Sequence, residues 1–104
     1  LLSNNIVEAT FNGSNVAARQ AMLLGSCLAG QAFANAPVAA VHALAYPLGG
    51  HFHIPHGLSN ALVLIQVMNF NLSHCADLYA ELAPSISNTI SLDGSDKEVA
   101  KALI

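Results

Sequence analysis

Four of the five histidines lie within one short stretch that is also rich in glycine and proline. They are His42, His51, His53 and His56. Neutral imidazole is the commonest protein ligand for divalent transition metals, so the stretch predicts a metal site. A catalytic divalent site usually has at least three protein ligands. On their spacing alone, therefore, His42 and His56 fit buried histidines bonded to backbone carbonyls better than they fit metal ligands.

The segment His51-Phe52-His53 allows a second interpretation. A His-x-His pair preceded by glycine resembles the metal motif of cupin barrels, in which alternating residues on a strand face one ion. The glutamate that should follow is missing, and the flanking sequence is helical. We therefore expect His51 and His53 to lie in a loop, exposed or lining a cleft.

Helical sequence flanks the histidines on both sides, and no segment has the alternation of a strand. Ser14 or Asn15 is a suitable N-cap for a first long helix, which ends near Ala34. Its small residues, such as Gly25, allow another helix to approach closely, and a helix that is apolar nearly all round is expected to be buried. The predicted fold class is all-α.

Prolines and caps divide the rest of the chain. Pro37 begins a short helix over 38–46, Pro47 stops it, and a loop follows over 48–55. The next helix runs from 56 or 57 to about 72, and another runs from the cap Ser73 to about 83, where Pro84 ends it. The capping box of Ser95 and Glu98 begins the last helix.

The composition is unusual for a chain of 104 residues, because 54% of them are hydrophobic and only 9% are charged. No charged residue lies between Arg19 and Asp77. A small domain needs a polar exterior. We therefore expect this stretch to be the interior of something larger, and we expect a homo-oligomer. Polar residues interrupt every apolar run before it reaches the length of a membrane span, so no membrane is predicted.

The net charge of −3 offers no basic patch, so nucleic acid is not a predicted partner. Cys27 and Cys75 do not form a CxxC motif, and we expect them to be buried, reduced thiols of a cytoplasmic protein. The chain opens with Leu1 rather than Met, and its last predicted helix stops at Ile104. Both features suggest a truncated or processed piece.

Three ordered runs of residues closely resemble the iron-containing (group III) alcohol dehydrogenases. These runs are Ala21-Met22-Leu23-Leu24-Gly25-Ser26-Cys27-Leu28-Ala29-Gly30-Gln31-Ala32-Phe33-Ala34-Asn35-Ala36, Val41-His42-Ala43-Leu44-Ala45-Tyr46-Pro47-Leu48-Gly49 and Ile54-Pro55-His56-Gly57-Leu58-Ser59-Asn60-Ala61. The resemblance implies that residues 1–104 are part of an all-helical, metal-binding C-terminal domain. It also implies that the N-terminal nucleotide-binding domain is absent from this chain.

The resemblance further implies a metal site and a reaction. Members hold one divalent ion, Fe²⁺ or Zn²⁺, with an aspartate, an upstream histidine and two downstream histidines, and His42 and His56 match the downstream pair. The ion acts as a Lewis acid on a small alcohol or aldehyde, and hydride passes to or from NAD or NADP. The upstream Asp-x3-His pair does not occur in this sequence.

Further positions follow from the same resemblance. Phe33 and Val38 match residues that line the substrate pocket. Tyr46 stands where many members carry a second histidine near the nicotinamide, and we take it as the candidate catalytic residue, a hydrogen-bonding group that does not titrate near neutrality. Ile65-Gln66 replaces the usual Pro-His of the following helix, which should leave that helix straighter.

Two functions are compatible with these features. In the first, the chain is the helical part of an NAD(P)-linked alcohol dehydrogenase and is inactive alone. In the second, it is a non-catalytic helical assembly or metal-binding module, in which two chains supply four histidines to one ion across a two-fold axis.

Overall fold

The computed structural model describes all residues from Leu1 to Ile104 and contains five helices and no strand. The prediction of an all-α fold is confirmed. The helices belong to two compact units, which we call the N-terminal unit (Leu1–Pro37) and the C-terminal unit (Val38–Ile104).

The N-terminal unit is a pair of helices, α1 (Leu2–Phe11) and α2 (Val16–Asn35). Asn15 caps α2 as predicted, because its side-chain oxygen accepts a hydrogen bond from the Ala18 N–H at 3.1 Å. Gly25 of α2 is buried against α1, and a Cβ at this position would lie only 2.7 Å from Leu2 Cδ2. The small residue therefore permits the close approach of the two helices.

The expectation that α2 is a buried helix is not met within this chain. Only Ala18 and Gly25 of α2 are buried, and Leu23 is 75% exposed. The physical reason is that α1 covers one stripe of α2, whereas the apolar residues of α2 extend around most of its circumference.

In the C-terminal unit, α3 (Ala40–Phe52) is longer than predicted and starts later. Pro37 is not its first residue, and Pro47 lies inside the helix instead of ending it. Proline removes one backbone donor, but its fixed φ is compatible with a helix, so the helix continues for another turn. It ends where His53 adopts the left-handed conformation, with φ 55° and ψ 28°. The loop predicted over 48–55 is therefore much shorter.

The two helices predicted over 56–83 form one bent helix, α4 (His56–Ile86). Its backbone leaves helical geometry at Cys75, with φ −131° and ψ 19°, near the predicted boundary at Ser73. The helix continues through Ile65-Gln66, as expected, and passes Pro84 before ending at Ile86. Pro84 lies in the last turn, where the loss of one N–H does not stop the helix.

The buried residues of the C-terminal unit are mostly small. They are Ala45, Ser59, Val67, Ala83, Val99 and Ala100. The last helix, α5 (Asp96–Leu103), has the predicted capping box: Glu98 Oε2 accepts hydrogen bonds from the Ser95 N–H at 2.8 Å and from its hydroxyl at 2.7 Å. These bonds lower the pKa of the Glu98 carboxyl, the backbone bond contributing most.

No single helix is both long enough and apolar enough to cross a membrane. Only α2 and α3, taken together across the break between them, reach that length and composition.

Candidate metal centre

The sequence brings His42 and His56 to neighbouring helix ends. His42 lies in the first turn of α3, and His56 is the first residue of α4. Between the helices, the His53 N–H donates to the Gly49 carbonyl at 3.0 Å. This left-handed cap turns the chain sharply, so that the start of α4 returns along α3.

Ser59 fixes the short connection from inside the unit. Its side chain is fully buried, and its hydroxyl donates to the Ile54 carbonyl at 3.2 Å. Its backbone N–H donates to the Pro55 carbonyl at 2.9 Å. The first turn of α4 is thereby attached to the residues that precede His56.

Three of the predicted site residues meet at this junction. The ring centroids of His42 and His56 are 5.1 Å apart, with an interplanar angle of 55°. The Tyr46 ring lies 6.3 Å from the His56 ring in a stacked arrangement and 6.3 Å from the His42 ring in an edge arrangement. His42 is half-buried, whereas His56 and Tyr46 are exposed.

Asn60 joins the two histidines, and the sequence analysis did not single it out. Its Nδ2 atom lies 3.4 Å from His42 Nε2 and 3.1 Å from His56 Nε2. The partner of His42 is thus a side-chain amide and not a backbone carbonyl, so the alternative of a carbonyl-bonded histidine is wrong for this residue. The available signal was the position of Asn60 one helical turn after His56, which places both side chains on one face.

The two imidazoles fit a shared divalent ion. Rings that bind one tetrahedral ion through nitrogens about 2.0 Å from it have centroids roughly 5 Å apart, and the observed separation is 5.1 Å. Both Nε2 atoms also approach one common atom, Asn60 Nδ2. No group of three or more His, Cys, Asp or Glu residues comes together in the chain. His42 and His56 are therefore a pair, fewer than the three protein ligands usual in a catalytic metal site.

The other candidate residues lie elsewhere. Phe33 is 55% exposed on α2, and Val38 is 39% exposed just before α3. Their role in lining a substrate pocket stays a prediction.

The remaining histidines and the cysteines differ partly from expectation. His51 is exposed in the last turn of α3, and His53 is exposed at its end, so no strand presents them as a cupin motif would. Cys27 is exposed and Cys75 is half-buried, and both are free thiols. The expectation of a buried thiol is therefore wrong for Cys27, because α1 leaves that part of α2 uncovered.

The C-terminal unit is all-helical and holds two imidazoles 5.1 Å apart, one on α3 and one on α4. Comparison with known proteins identifies the family of the chain. Residues 1–104 match the family described as Fe-containing alcohol dehydrogenase family, C-terminal. The chain belongs to this family, and the sequence resemblance is confirmed.

The chain is similar to several curated members. It is 48% identical over 91 residues to long-chain-alcohol dehydrogenase 1 of Geobacillus thermodenitrificans, covering 88% of this chain and 23% of that protein. It is 38% identical over 104 residues to 1,3-propanediol dehydrogenase of Klebsiella pneumoniae, covering 96% and 27%. It is 48% identical over 85 residues to 1-propanol dehydrogenase PduQ of Salmonella typhimurium, covering 80% and 23%.

The chain therefore spans about a quarter of the length of these relatives. No solved structure matches it.

Proposed function

We propose that His42 and His56 are two ligands of a divalent ion, Fe²⁺ or Zn²⁺, in a protein that interconverts alcohols and aldehydes or ketones with NAD or NADP. The observation that supports this most directly is the pair of imidazoles 5.1 Å apart, with both Nε2 atoms near one point. Relatives whose names are long-chain-alcohol, 1,3-propanediol and 1-propanol dehydrogenase support the reaction class and small-molecule substrates.

An ion held there supplies Lewis-acid chemistry, polarising an alcohol or carbonyl oxygen. The chain's own contribution is to hold two neutral nitrogen donors at fixed positions on adjacent helix ends. Tyr46 lies beside both rings and is 63% exposed, so its hydroxyl is free to donate a hydrogen bond to substrate or nicotinamide. Phe33 of the N-terminal unit and Val38 of the C-terminal unit each expose an apolar side chain.

Residues 1–104 form the helical, metal-binding part in this proposal, and nucleotide binding belongs to a separate domain. The 104 residues alone should have no dehydrogenase activity, because they contribute two ligands and contain no glycine-rich nucleotide-binding motif. The many exposed apolar side chains, such as Phe11 and Phe70, also favour a homo-oligomer.

A second function is favoured by the same two-ligand count. Two chains related by a two-fold axis could complete a four-histidine site without any redox chemistry. The stoichiometry of bound metal separates the alternatives, because this module would hold one ion per two chains.

The test is NAD(P)-linked oxidation of primary alcohols by the protein joined to a nucleotide-binding domain of this family and loaded with Fe²⁺ or Zn²⁺. Activity that His56→Ala abolishes and His74→Ala preserves would support the proposal. His74 is an exposed histidine of the same helix and is the matched control. No alcohol oxidation with either metal and either nucleotide would overturn the dehydrogenase proposal.

A further inference from the structure

Asn60 makes the only side-chain bridge between the two candidate ligands. Its amide nitrogen lies within hydrogen-bond distance of His42 Nε2 on α3 and of His56 Nε2 on α4. Asn60 itself is half-buried, and its Oδ1 atom is buried with no hydrogen-bond partner. The bridge and the unpaired oxygen together determine where the protons of this cluster lie.

An amide nitrogen carries two hydrogens and has no acceptor capacity. When Asn60 donates to both rings, each Nε2 must present a lone pair. A neutral imidazole carries its one hydrogen on the other nitrogen, so both rings hold theirs on Nδ1. An unprotonated nitrogen is also the form in which histidine binds a metal.

The reversed orientation of the amide is less favourable. It would place Oδ1 between the rings as the acceptor from two Nε2–H groups, and it would turn the amide nitrogen with its two hydrogens to the buried side, where Oδ1 now has no hydrogen-bond partner. Two buried hydrogens would then each need an acceptor, in place of one oxygen that needs a donor. Buried N–H groups are left without partners less often than carbonyl oxygens, so the orientation that donates to both histidines is preferred.

We propose that Asn60 is a positioning residue of the metal centre: its amide occupies the place of the ion in the metal-free chain and keeps Nε2 of His42 and His56 unprotonated and directed at that place. The inference rests on the proposed function in one respect, that these histidines are the metal ligands. It assigns to Asn60 a role that neither the motif nor the family match specifies.

The geometry also implies that the Asn60 amide and a bound ion exclude each other. A donor hydrogen and a metal ion both lie along the imidazole lone pair, and a nitrogen–metal bond of about 2.0 Å leaves no room for an amide nitrogen on the same line. The Asn60 amide must therefore leave both Nε2 atoms when an ion binds. Each imidazole keeps its hydrogen on Nδ1 when the ion replaces the amide, so metal binding requires no proton transfer on either ring.

The decisive measurement is long-range ¹H–¹⁵N correlation spectroscopy of the metal-free full chain with labelled imidazoles. The spectrum is recorded at mildly alkaline pH, and the proton position on each ring is read directly from its nitrogen shifts. We expect Nε2 of both His42 and His56 to resonate as an unprotonated nitrogen. The exposed residues His51 and His74 provide an internal reference for rings without this bridge. Protonated Nε2 in the two candidate ligands would overturn the proposal.

Two variants sharpen the test. Asn60→Asp keeps the shape of the side chain but only accepts hydrogen bonds, so it should move the proton of both rings to Nε2. Asn69→Asp is the matched control, since Asn69 of the same helix donates to the Ile65 carbonyl and does not contact the histidines. An unchanged pattern in folded Asn60→Asp would refute the positioning role. If circular dichroism shows that this variant does not fold, the wild-type spectrum alone decides.

Titration with Zn²⁺ tests the exclusion. Binding should shift Nε2 of both rings and also the side-chain amide hydrogens of Asn60. Zinc-induced shifts of both rings with an unchanged Asn60 amide would contradict this exclusion.

Failure of the proposed function can be distinguished from failure of this inference. The expected proton positions without alcohol oxidation would overturn only the dehydrogenase proposal. Alcohol oxidation with protonated Nε2 would overturn only the role of Asn60.

Discussion

The ring of His42, in the first turn of α3, and the ring of His56, at the start of α4, have centroids 5.1 Å apart and an interplanar angle of 55°. No Asp, Glu or Cys joins them to make a group of three metal-ligating side chains. The chain offers no third side chain at this place that could compensate for the loss of either ring. Metal binding by the chain should depend on both to a similar extent.

Replacement of either ring by alanine tests this symmetry. We expect His42→Ala and His56→Ala each to lower zinc affinity by at least about 100-fold, because even indirect partners of metal ligands contribute 10–100-fold. Isothermal titration of the metal-free protein with Zn²⁺ measures the change. His74→Ala should bind zinc like the wild type. Wild-type affinity in His56→Ala would remove this histidine from the ligand set.

The convergence of the two histidines could be predicted from the resemblance to a family whose members bind one ion through histidines at these two positions, and not from the spacing alone. The bridge by Asn60 could not be predicted in the same way. An asparagine within a helix commonly donates to the backbone carbonyl one turn earlier, as Asn69 does to Ile65. Only the three-dimensional position of His42 distinguishes Asn60 from such a residue.

The helix boundaries show a second limit of the sequence. Pro47 and Pro84 both predict helix ends, yet both lie inside helices. An interior proline loses one backbone hydrogen bond and crowds the preceding turn, a cost of about 3 kcal/mol that packing between neighbouring helices can outweigh. The kink at Cys75 has no proline or glycine beside it, and only the cap predicted at Ser73 indicated a break nearby.

Tyr46 offers a test of the candidate catalytic role. Tyr46→Phe keeps the ring 6.3 Å from His56 but removes the hydroxyl. If that hydroxyl donates a hydrogen bond to the reacting groups, worth about 1 kcal/mol, kcat should fall roughly fivefold with metal content unchanged. Steady-state kinetics and metal analysis of the intact enzyme measure the two quantities. A kcat equal to wild type would exclude the hydroxyl from catalysis, and Tyr79→Phe is the control.

The protein should be more stable with glycine than with histidine at position 53. Its φ of 55° lies in the left-handed region, which costs a residue with a side chain about 1–2 kcal/mol. Glycine avoids this cost but gains entropy in the unfolded chain, so His53→Gly should stabilise the protein by about 0.5–1 kcal/mol in urea unfolding. His51→Gly, inside α3, should instead destabilise it by up to about 1 kcal/mol. Destabilisation by both changes would contradict the left-handed cap.

Ser59 should matter for both stability and the metal centre. Its buried hydroxyl donates to the Ile54 carbonyl at 3.2 Å, so Ser59→Ala should lower the free energy of unfolding by about 1 kcal/mol. It should also weaken zinc binding, because the residues before His56 lose their attachment to α4. Ser73→Ala, at an exposed position of α4, should change stability by less than about 0.5 kcal/mol. Equal effects of the two substitutions would show that the hydroxyl bond contributes nothing specific.

The lowered pKa of the Glu98 carboxyl should make the free energy of unfolding depend on pH in acid. Hydrogen bonds from the Ser95 N–H and hydroxyl hold the pKa of the Glu98 carboxyl below its ordinary value of 4.5. The folded state therefore binds the proton less readily than the unfolded state. The resulting stabilisation is fully present above the unfolded pKa and is lost as the pH falls below 4.5 through the lowered folded pKa.

Glu98→Gln removes this titration while keeping a side-chain oxygen that can accept a bond. The variant should be less stable than the wild type near neutral pH, and the difference should shrink as the pH falls below the ordinary carboxyl value. Urea unfolding of both proteins across that range measures the difference. Asp77→Asn removes a carboxylate that caps no helix and should not reproduce this change. A difference that grows in acid would mean that the charged form of Glu98 does not stabilise the start of α5.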